Sequence, residues 1–211
     1  MKKIIWTIIL FFALAISAYS IVQYFVVGVD KAGLVNVKIK NTGPLQPSWY
    51  TFLYLHIAFS AFALVTGPFL FSAKLREKRL SLHRSLGKAY LVSVLLGGLA
   101  GAVLAFSASG GFMAASGFFL LSVLWLYTGY AAYQQIKQKN VKAHREWMLR
   151  NYALTLAGVT LRLWMPICFA IWGVSAFASF YPAIAWICWV PNLLVAEWYV
   201  RKSAATPAIV P

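Results

Sequence analysis

Long stretches without a charged side chain dominate this sequence. Residues 4–29, 41–73 and 89–136 contain no Asp, Glu, Lys or Arg. A bilayer-spanning helix needs ~20 mostly apolar residues, so each stretch is long enough to cross a membrane. Backbone groups in lipid must be hydrogen-bonded within the protein, and the sequence lacks the alternating strands of a barrel. The sequence therefore predicts an all-α fold, a polytopic transmembrane helix bundle.

Composition excludes the other common classes of chain. Hydrophobic residues make up 62% of the 211 residues and charged residues 11%, against averages of ~45–50% and about 25% in globular proteins. A water-soluble fold of this size could not bury so much apolar surface, and a disordered chain would be far more polar.

Six spans are predicted, four from these apolar stretches and two, with Arg162 and Glu197 inside them, from the rest of the chain. The Ser-Ala-Ser-Gly-Gly segment at 107–111 interrupts the longest stretch. The predicted spans cover residues 4–29, 49–73, 82–107, 112–136, 148–174 and 181–200. The regions are then an N-terminal helix (1–30), an external loop (31–48), a four-helix core (49–175), and a last helix with a short tail (176–211).

Two of these regions need a further interpretation. Residues 1–20 resemble a cleavable signal peptide, but the apolar stretch continues to residue 29, so a retained helix is favoured. The Val-Asn-Val-Lys-Ile-Lys alternation at 35–40 in the external loop favours a short extended segment.

Basic residues are distributed unevenly between the two sides of the predicted membrane. The chain has 19 Lys and Arg residues against 4 Asp and Glu, for a net charge of +15. Because the basic residues cluster between spans, they indicate the positive-inside rule of membrane proteins rather than a nucleic-acid partner. Lys31, Lys38 and Lys40 lie on the other side, and Arg162 lies within a span. The inner set is Lys2, Lys3, Lys74, Arg76, Lys78, Arg79, Arg84, Lys88, Lys137, Lys139, Lys142, Arg145, Arg150, Arg201 and Lys202. We therefore expect a multi-pass protein of the bacterial inner membrane, embedded in the lipid bilayer with both termini cytoplasmic.

The two predicted inner loops resemble each other. Each places His-Arg before a span, then a basic residue and a Tyr, in the segments LHRSLGKAYL (82–91) and KAHREWMLRNYALTLAGVTLRL (142–163). Parallel duplication of a two-helix unit explains this pattern. Chance explains it equally well, since basic residues belong on the inner side of any membrane protein.

These segments also carry a family resemblance. Together with the upstream His56, they resemble a bacterial family of predicted membrane proteins catalogued as domain of unknown function 2306, over roughly residues 50 to 175. The resemblance implies a helical membrane domain and no specific activity.

His83 and His144 are candidate cofactor ligands. They begin two predicted spans on the same side of the membrane, and paired imidazoles on facing helices hold b-type haem in membrane bundles. A small-residue stripe on the third span would admit a flat ring or a close helix contact (Ser93, Gly97, Gly101 and Ala105). The alternative for His83 and His144 is contact with lipid phosphates.

Arg162 and His56 are candidate pocket residues. Arg162 lies twelve residues after Arg150, ~18 Å into a ~30 Å hydrocarbon core, and His56 has a similar predicted depth. A buried guanidinium is costly, so it should face the bundle interior. Helical spacing places Ser60 on the face of His56 and Thr155 on the face of Arg162. We expect one cavity in which Thr155, Ser60 and backbone carbonyls accept hydrogen bonds from Arg162.

These patterns leave two functional hypotheses and leave open whether the protein is an enzyme. The first is a membrane redox protein associated with a quinone or with haem b. The alternative is a non-enzymatic transporter, channel or assembly factor that binds an anionic or lipid-like ligand at the His56–Arg162 pocket. The sequence offers no phosphate loop, nucleophile motif or paired carboxylates for a soluble-type hydrolase or ATPase.

Overall fold

The computed structural model describes residues 2–205, and within that range the chain is helical with no β-strand. Residue 1 and residues 206–211, the end of the predicted tail, lie outside the described range. Ten α-helices follow one another as α1 (Lys2–Ile21), α2 (Gly33–Thr42), α3 (Pro47–Leu70), α4 (Ala73–Lys78), α5 (Leu80–Ala105), α6 (Gly111–Lys137), α7 (Val141–Thr155), α8 (Ala157–Trp172), α9 (Phe177–Ile187) and α10 (Val190–Ala205). The all-α helix bundle predicted from the sequence is confirmed.

Six helical segments in this range are long and apolar enough to cross a membrane. They cover Ile4–Val26, Pro47–Leu70, Leu80–Ala105, Gly111–Lys137, Val141–Trp172 and Val174–Ser203. The fifth begins earlier than predicted because Asn140 caps α7, its side chain accepting a hydrogen bond from the Ala143 N–H at 3.1 Å. α3 packs against α5 and α6 against α7, the two pairs that the duplication hypothesis relates.

The fifth span is divided into α7 and α8 at Leu156. The Leu156 carbonyl accepts hydrogen bonds from both the Val159 and the Thr160 N–H groups, at 2.9 and 3.1 Å. This shared acceptor tightens the turn locally. The turn lies six residues before Arg162, which α8 carries into the bundle.

A buried polar network joins the central helices. Asn151, which is 0% exposed, donates to the Trp125 carbonyl (2.7 Å) and to the Thr128 hydroxyl (2.9 Å). Its side-chain oxygen accepts from the Tyr90 hydroxyl at 2.7 Å. Each hydrogen bond satisfies a polar group that would otherwise be costly in an apolar interior, so the network fixes how α5, α6 and α7 pack.

The alternating sequence at 35–40 predicted a short extended segment in the external loop, and this prediction is wrong. The segment lies in helix α2. At the C-terminal end of this helix, the Gly43 N–H donates a hydrogen bond to the Ile39 carbonyl at 2.8 Å, and Gly43 has a φ of +80°. Val35 and Lys38, three residues apart, turn inward and are 2% and 7% exposed. Burial of one face against the bundle therefore outweighs the strand-like alternation. We call this side of the bundle the α2 end.

The opposite side, the basic end, carries the His-Arg segments and α4. Here Glu197 forms ion pairs with Arg150 and Arg201, each at 2.8 Å. The Arg150 guanidinium also lies 4.8 Å from the centre of the Trp147 ring. These contacts hold α10 against α7.

Candidate functional site

A cavity of about 260 Å³ opens inside the bundle toward the α2 end. Its wall is built by α1, α2, α3, α5, α6, α8 and α9 together with the last residues of α7. His56, Ser60, Thr155 and Arg162, the four residues predicted to share a pocket, all line it. The structure therefore brings this set together from three different helices.

The His56 ring is held against α5. Its Nδ1 lies 2.9 Å from the Gly97 carbonyl oxygen, which can only accept, so Nδ1 is the donor. A methyl group on Gly101 would lie 2.9 Å from Nδ1 and 3.1 Å from Cε1 of the ring. The two glycines thus let the imidazole lie directly on the α5 backbone. At Gly97 and Gly101 the small-residue stripe accommodates this ring and the close approach of α3.

Arg162 enters the cavity from α8. Its Nη1 donates to the Gly158 carbonyl at 3.0 Å, and among the described residues this is its one hydrogen-bond acceptor. The side chain is half-buried. Tyr24 and Tyr181 also line the cavity and lie close enough to interact electrostatically with the guanidinium, as does His56. A guanidinium carries five N–H donors, so most of its hydrogen-bonding capacity faces the cavity.

The predicted hydroxyl acceptors do not serve Arg162. The Thr155 hydroxyl accepts from Trp125 Nε1 at 2.9 Å and lies 3.0 Å from the Tyr90 hydroxyl, so the central network already occupies it. The Ser60 hydroxyl is buried and has no hydrogen-bond partner among the described residues. Only the backbone-carbonyl part of that expectation holds.

Lys38 closes the α2 end of the cavity. Its ammonium donates to the Ser107 carbonyl and lies 5.7 Å from the centre of the Trp49 ring. Trp49 Nε1 in turn donates to the Ser107 hydroxyl at 2.8 Å. Burial lowers the pKa of Lys38 below its ordinary value. Glycines with positive φ, Gly28 at +109° and Gly43 at +80°, stand on either side of α2.

His83 and His144 lie at the basic end, outside this cavity. They lie near the starts of α5 and α7 on the same side of the bundle, and a cofactor site between them stays a prediction. His144 Nδ1 lies 2.8 Å from the Ala132 carbonyl, whereas His83 Nδ1 is buried with no partner among the described residues. The described range contains no cluster of three or more His, Cys, Asp or Glu side chains suited to a metal ion.

Sequence reasoning missed several cavity residues. Lys38, Tyr24 and Tyr181 line the cavity, and so do Ser17 and Ser20 of α1. Ser17, Ser20 and Tyr24 recur at spacings of three and four residues along α1 and the helical turn that follows it, a weak polar stripe that the sequence does contain. Nothing in the sequence indicated that this stripe would face Arg162.

Comparison with known proteins gives one match. The family model described as "Predicted membrane protein (DUF2306)" matches residues 53–200, which includes the last span that the sequence resemblance had left out. No curated protein and no solved structure matches the chain. The matched region covers well over half of the sequence and contains His56, His83, His144 and Arg162. The chain therefore belongs to the DUF2306 family of predicted membrane proteins.

Proposed function

We propose that the protein binds a membrane-soluble, amphiphilic ligand in the His56–Arg162 cavity, through a head group rich in hydrogen-bond acceptors, with a quinone head group as the first candidate. The observation that carries this proposal is the Arg162 guanidinium, which faces an intramembrane cavity with a single protein acceptor among the described residues. A cation in hydrocarbon costs at least ~2.5–3.5 kcal/mol on insertion scales. A ligand oxygen would recover part of that cost.

The character of the lining supports the same class of ligand. Arg162 and Lys38 line the cavity, and no Asp or Glu in the described part of the chain does. The positive charge favours an anionic or carbonyl head group over a cationic one. Most other lining side chains are apolar, such as Leu53, Leu104 and Leu161. This combination suits a polar head joined to an apolar body.

Binding of decylubiquinone tests the proposal. Calorimetric titration of the protein in lipid nanodiscs should give saturable binding after subtraction of empty nanodiscs. Arg162→Leu should abolish it, while folding is retained because a costly buried charge is removed. Arg162→Lys should restore part of the affinity, because a point charge cannot reproduce the planar donor fork.

Arg145→Leu is the matched control. Arg145 is exposed at the basic end, so its loss changes the net charge equally without touching the cavity. Equal loss of binding in both Leu variants, or no saturable binding to the wild-type protein, would contradict the proposal.

Transport is the alternative use of the same cavity. The observation that favours it is the closure of the outer end by α2, between two glycines of positive φ. A transporter, channel or assembly factor would then carry an anionic or lipid-like ligand through this site without chemical change. Uptake of a labelled ligand into proteoliposomes, lost in Arg162→Leu, distinguishes transport from redox use.

A b-type haem between His83 and His144 is a second candidate function. Histidine ligands of metals usually donate their other ring nitrogen to a carbonyl or carboxylate, as His144 Nδ1 does to Ala132. Protein purified after haem-supplemented expression should then show a reduced b-type spectrum. His83→Ala and His144→Ala should lose the spectrum and His56→Ala should keep it, whereas a colourless wild-type protein would exclude this function.

We infer the cellular location from charge alone. The basic end carries the predicted inner set of Lys and Arg, which supports a cell inner membrane with both termini cytoplasmic. The α2 end then faces outward, and the cavity lies in the outer half of the membrane.

A further inference from the structure

His56 lines the cavity, and among the described residues only one of its two ring nitrogens has a hydrogen-bond partner. Its Nδ1–H is committed to the Gly97 carbonyl, and the Nδ1–Cε1 edge of the ring lies over Gly101. A second positive charge near the Arg162 guanidinium would be costly in an apolar interior, so the ring is neutral. In a neutral imidazole with Nδ1 protonated, Nε2 carries a lone pair and cannot donate. Nε2 has no hydrogen-bond partner among the described residues.

The other polar side chains of the lining do not supply this property. The hydroxyls of Ser60, Tyr24 and Tyr181 can donate or accept, so they adapt to either kind of ligand atom. Trp49 Nε1 and the Arg162 guanidinium only donate. Among the described residues, Asp, Glu, Asn and Gln are absent from the lining. Within that part of the chain, His56 Nε2 is therefore the one side-chain nitrogen or oxygen of the lining that can accept a hydrogen bond but cannot donate one.

We infer that the cavity selects ligands that carry an O–H donor as well as a second, acceptor oxygen, that is, a hydroquinone head group over the fully oxidised quinone. The O–H donates to His56 Nε2, and a second oxygen accepts from Arg162. A quinone carries carbonyls alone, so it satisfies Arg162 and leaves His56 Nε2 without a partner, and a site built to bond a hydroxyl rejects the analogue that lacks it. This inference rests on the proposed function, and it concerns binding rather than a redox step.

Three probes with the same ring substituents and decyl tail test the selection without any mutation. They are decylubiquinol, decylubiquinone and the dimethyl ether of decylubiquinol, each titrated calorimetrically under anaerobic conditions into protein in nanodiscs. We expect decylubiquinol to bind at least about tenfold more tightly than decylubiquinone. The dimethyl ether, which has no O–H group, should bind most weakly of the three.

Substitutions at His56 then test whether the preference for decylubiquinol depends on this side chain. His56→Leu removes the acceptor, and it should bring the affinities for decylubiquinol and decylubiquinone to within about twofold of each other. His56→Gln keeps an acceptor oxygen and should retain part of the preference. Arg162→Lys should weaken both probes together, and Arg145→Leu should change neither.

The outcomes distinguish failure of the quinol selection from failure of ligand binding in the cavity. Equal affinity of the wild-type protein for all three probes, with Arg162-dependent binding intact, overturns the selection and leaves the proposed function standing. A quinol preference that survives in His56→Leu overturns the assignment to His56. Absence of saturable binding for every probe overturns the proposed function itself.

Discussion

Gly101→Ala tests the cavity with a single methyl group. The added Cβ would lie 2.9 Å from Nδ1 and 3.1 Å from Cε1 of His56, and 3.1 Å from the Ser122 hydroxyl. Favourable contacts between carbon atoms lie at about 3.5–4.0 Å, so the imidazole must move. Because the ring is held by its 2.9 Å hydrogen bond to Gly97, that movement breaks the bond and turns Nε2 away from its present position.

Two opposing effects set the expected change in the free energy of unfolding of Gly101→Ala. Overpacking costs about 1–3 kcal/mol, whereas Ala in place of Gly in a helix contributes about 1 kcal/mol of stability. The protein should therefore lose no more than about 2 kcal/mol and remain folded. Ligand affinity should fall more clearly, because a displaced His56 loses a hydrogen bond worth about 1 kcal/mol or more, roughly five- to tenfold in binding.

Two glycines on the same helix provide graded controls. At Gly87 the nearest atom to an added Cβ is Leu70 Cδ2 at 4.0 Å, and at Gly97 it is the Ser60 hydroxyl at 3.2 Å. In calorimetric titration, decylubiquinol should bind equally tightly to the wild-type protein and Gly87→Ala, more weakly to Gly97→Ala, and most weakly to Gly101→Ala. Thermal unfolding of each variant shows whether it remains folded. Wild-type affinity in Gly101→Ala, or an equal loss in Gly87→Ala, would refute the placement of His56 against α5.

Three further predictions concern other parts of the molecule. Reporter fusions after Lys139 should be cytoplasmic and those near Lys38 external, and the opposite pattern would reverse the charge-based orientation. Asn151→Leu leaves its buried partners unsatisfied and should lower stability by about 1–3 kcal/mol in thermal unfolding; an unchanged midpoint would contradict the central network. Because burial lowers the pKa of Lys38, the unfolded chain binds this proton more tightly than the folded chain. Stability should therefore rise as pH increases toward the ordinary value of 10.5. The thermal unfolding midpoint of the wild-type protein should therefore rise more between about pH 8 and 10.5 than that of Lys38→Met. An identical pH dependence of the midpoint in both proteins would contradict the burial of a charged Lys38.

The sequence was sufficient for the spans and for part of the cavity. Charge-free stretches locate membrane helices because every charge in lipid is costly, and they located the first, second and fourth spans and most of the third. The fifth and sixth spans, which contain Arg162 and Glu197, were located by their overall apolar character. Arg162 and His56 share a cavity for the same reason, since each had to face inward at a similar depth. Helical periodicity then gave the faces that carry Ser60 and Thr155.

The remaining features depended on packing between helices. α1 and α9 are mostly apolar, so their sequences do not show that Tyr181 and the weak polar stripe of Ser17, Ser20 and Tyr24 line one cavity. Thr155 was placed on the correct face, but Trp125 and Tyr90 reach its hydroxyl from other helices. Over the short 35–40 segment, alternation does not separate a strand from a helix with one buried face.

Nitrogen-15 NMR of histidine side chains tests the central claim most directly. The chain contains only three histidines, so selective labelling gives three imidazoles, which His→Gln variants assign. The account predicts that His56 is neutral with its proton on Nδ1, and that decylubiquinol shifts the His56 Nε2 resonance while His83 and His144 stay unchanged. A proton on His56 Nε2 in the free protein, or a ligand response at His83 and His144 but not at His56, would contradict the account.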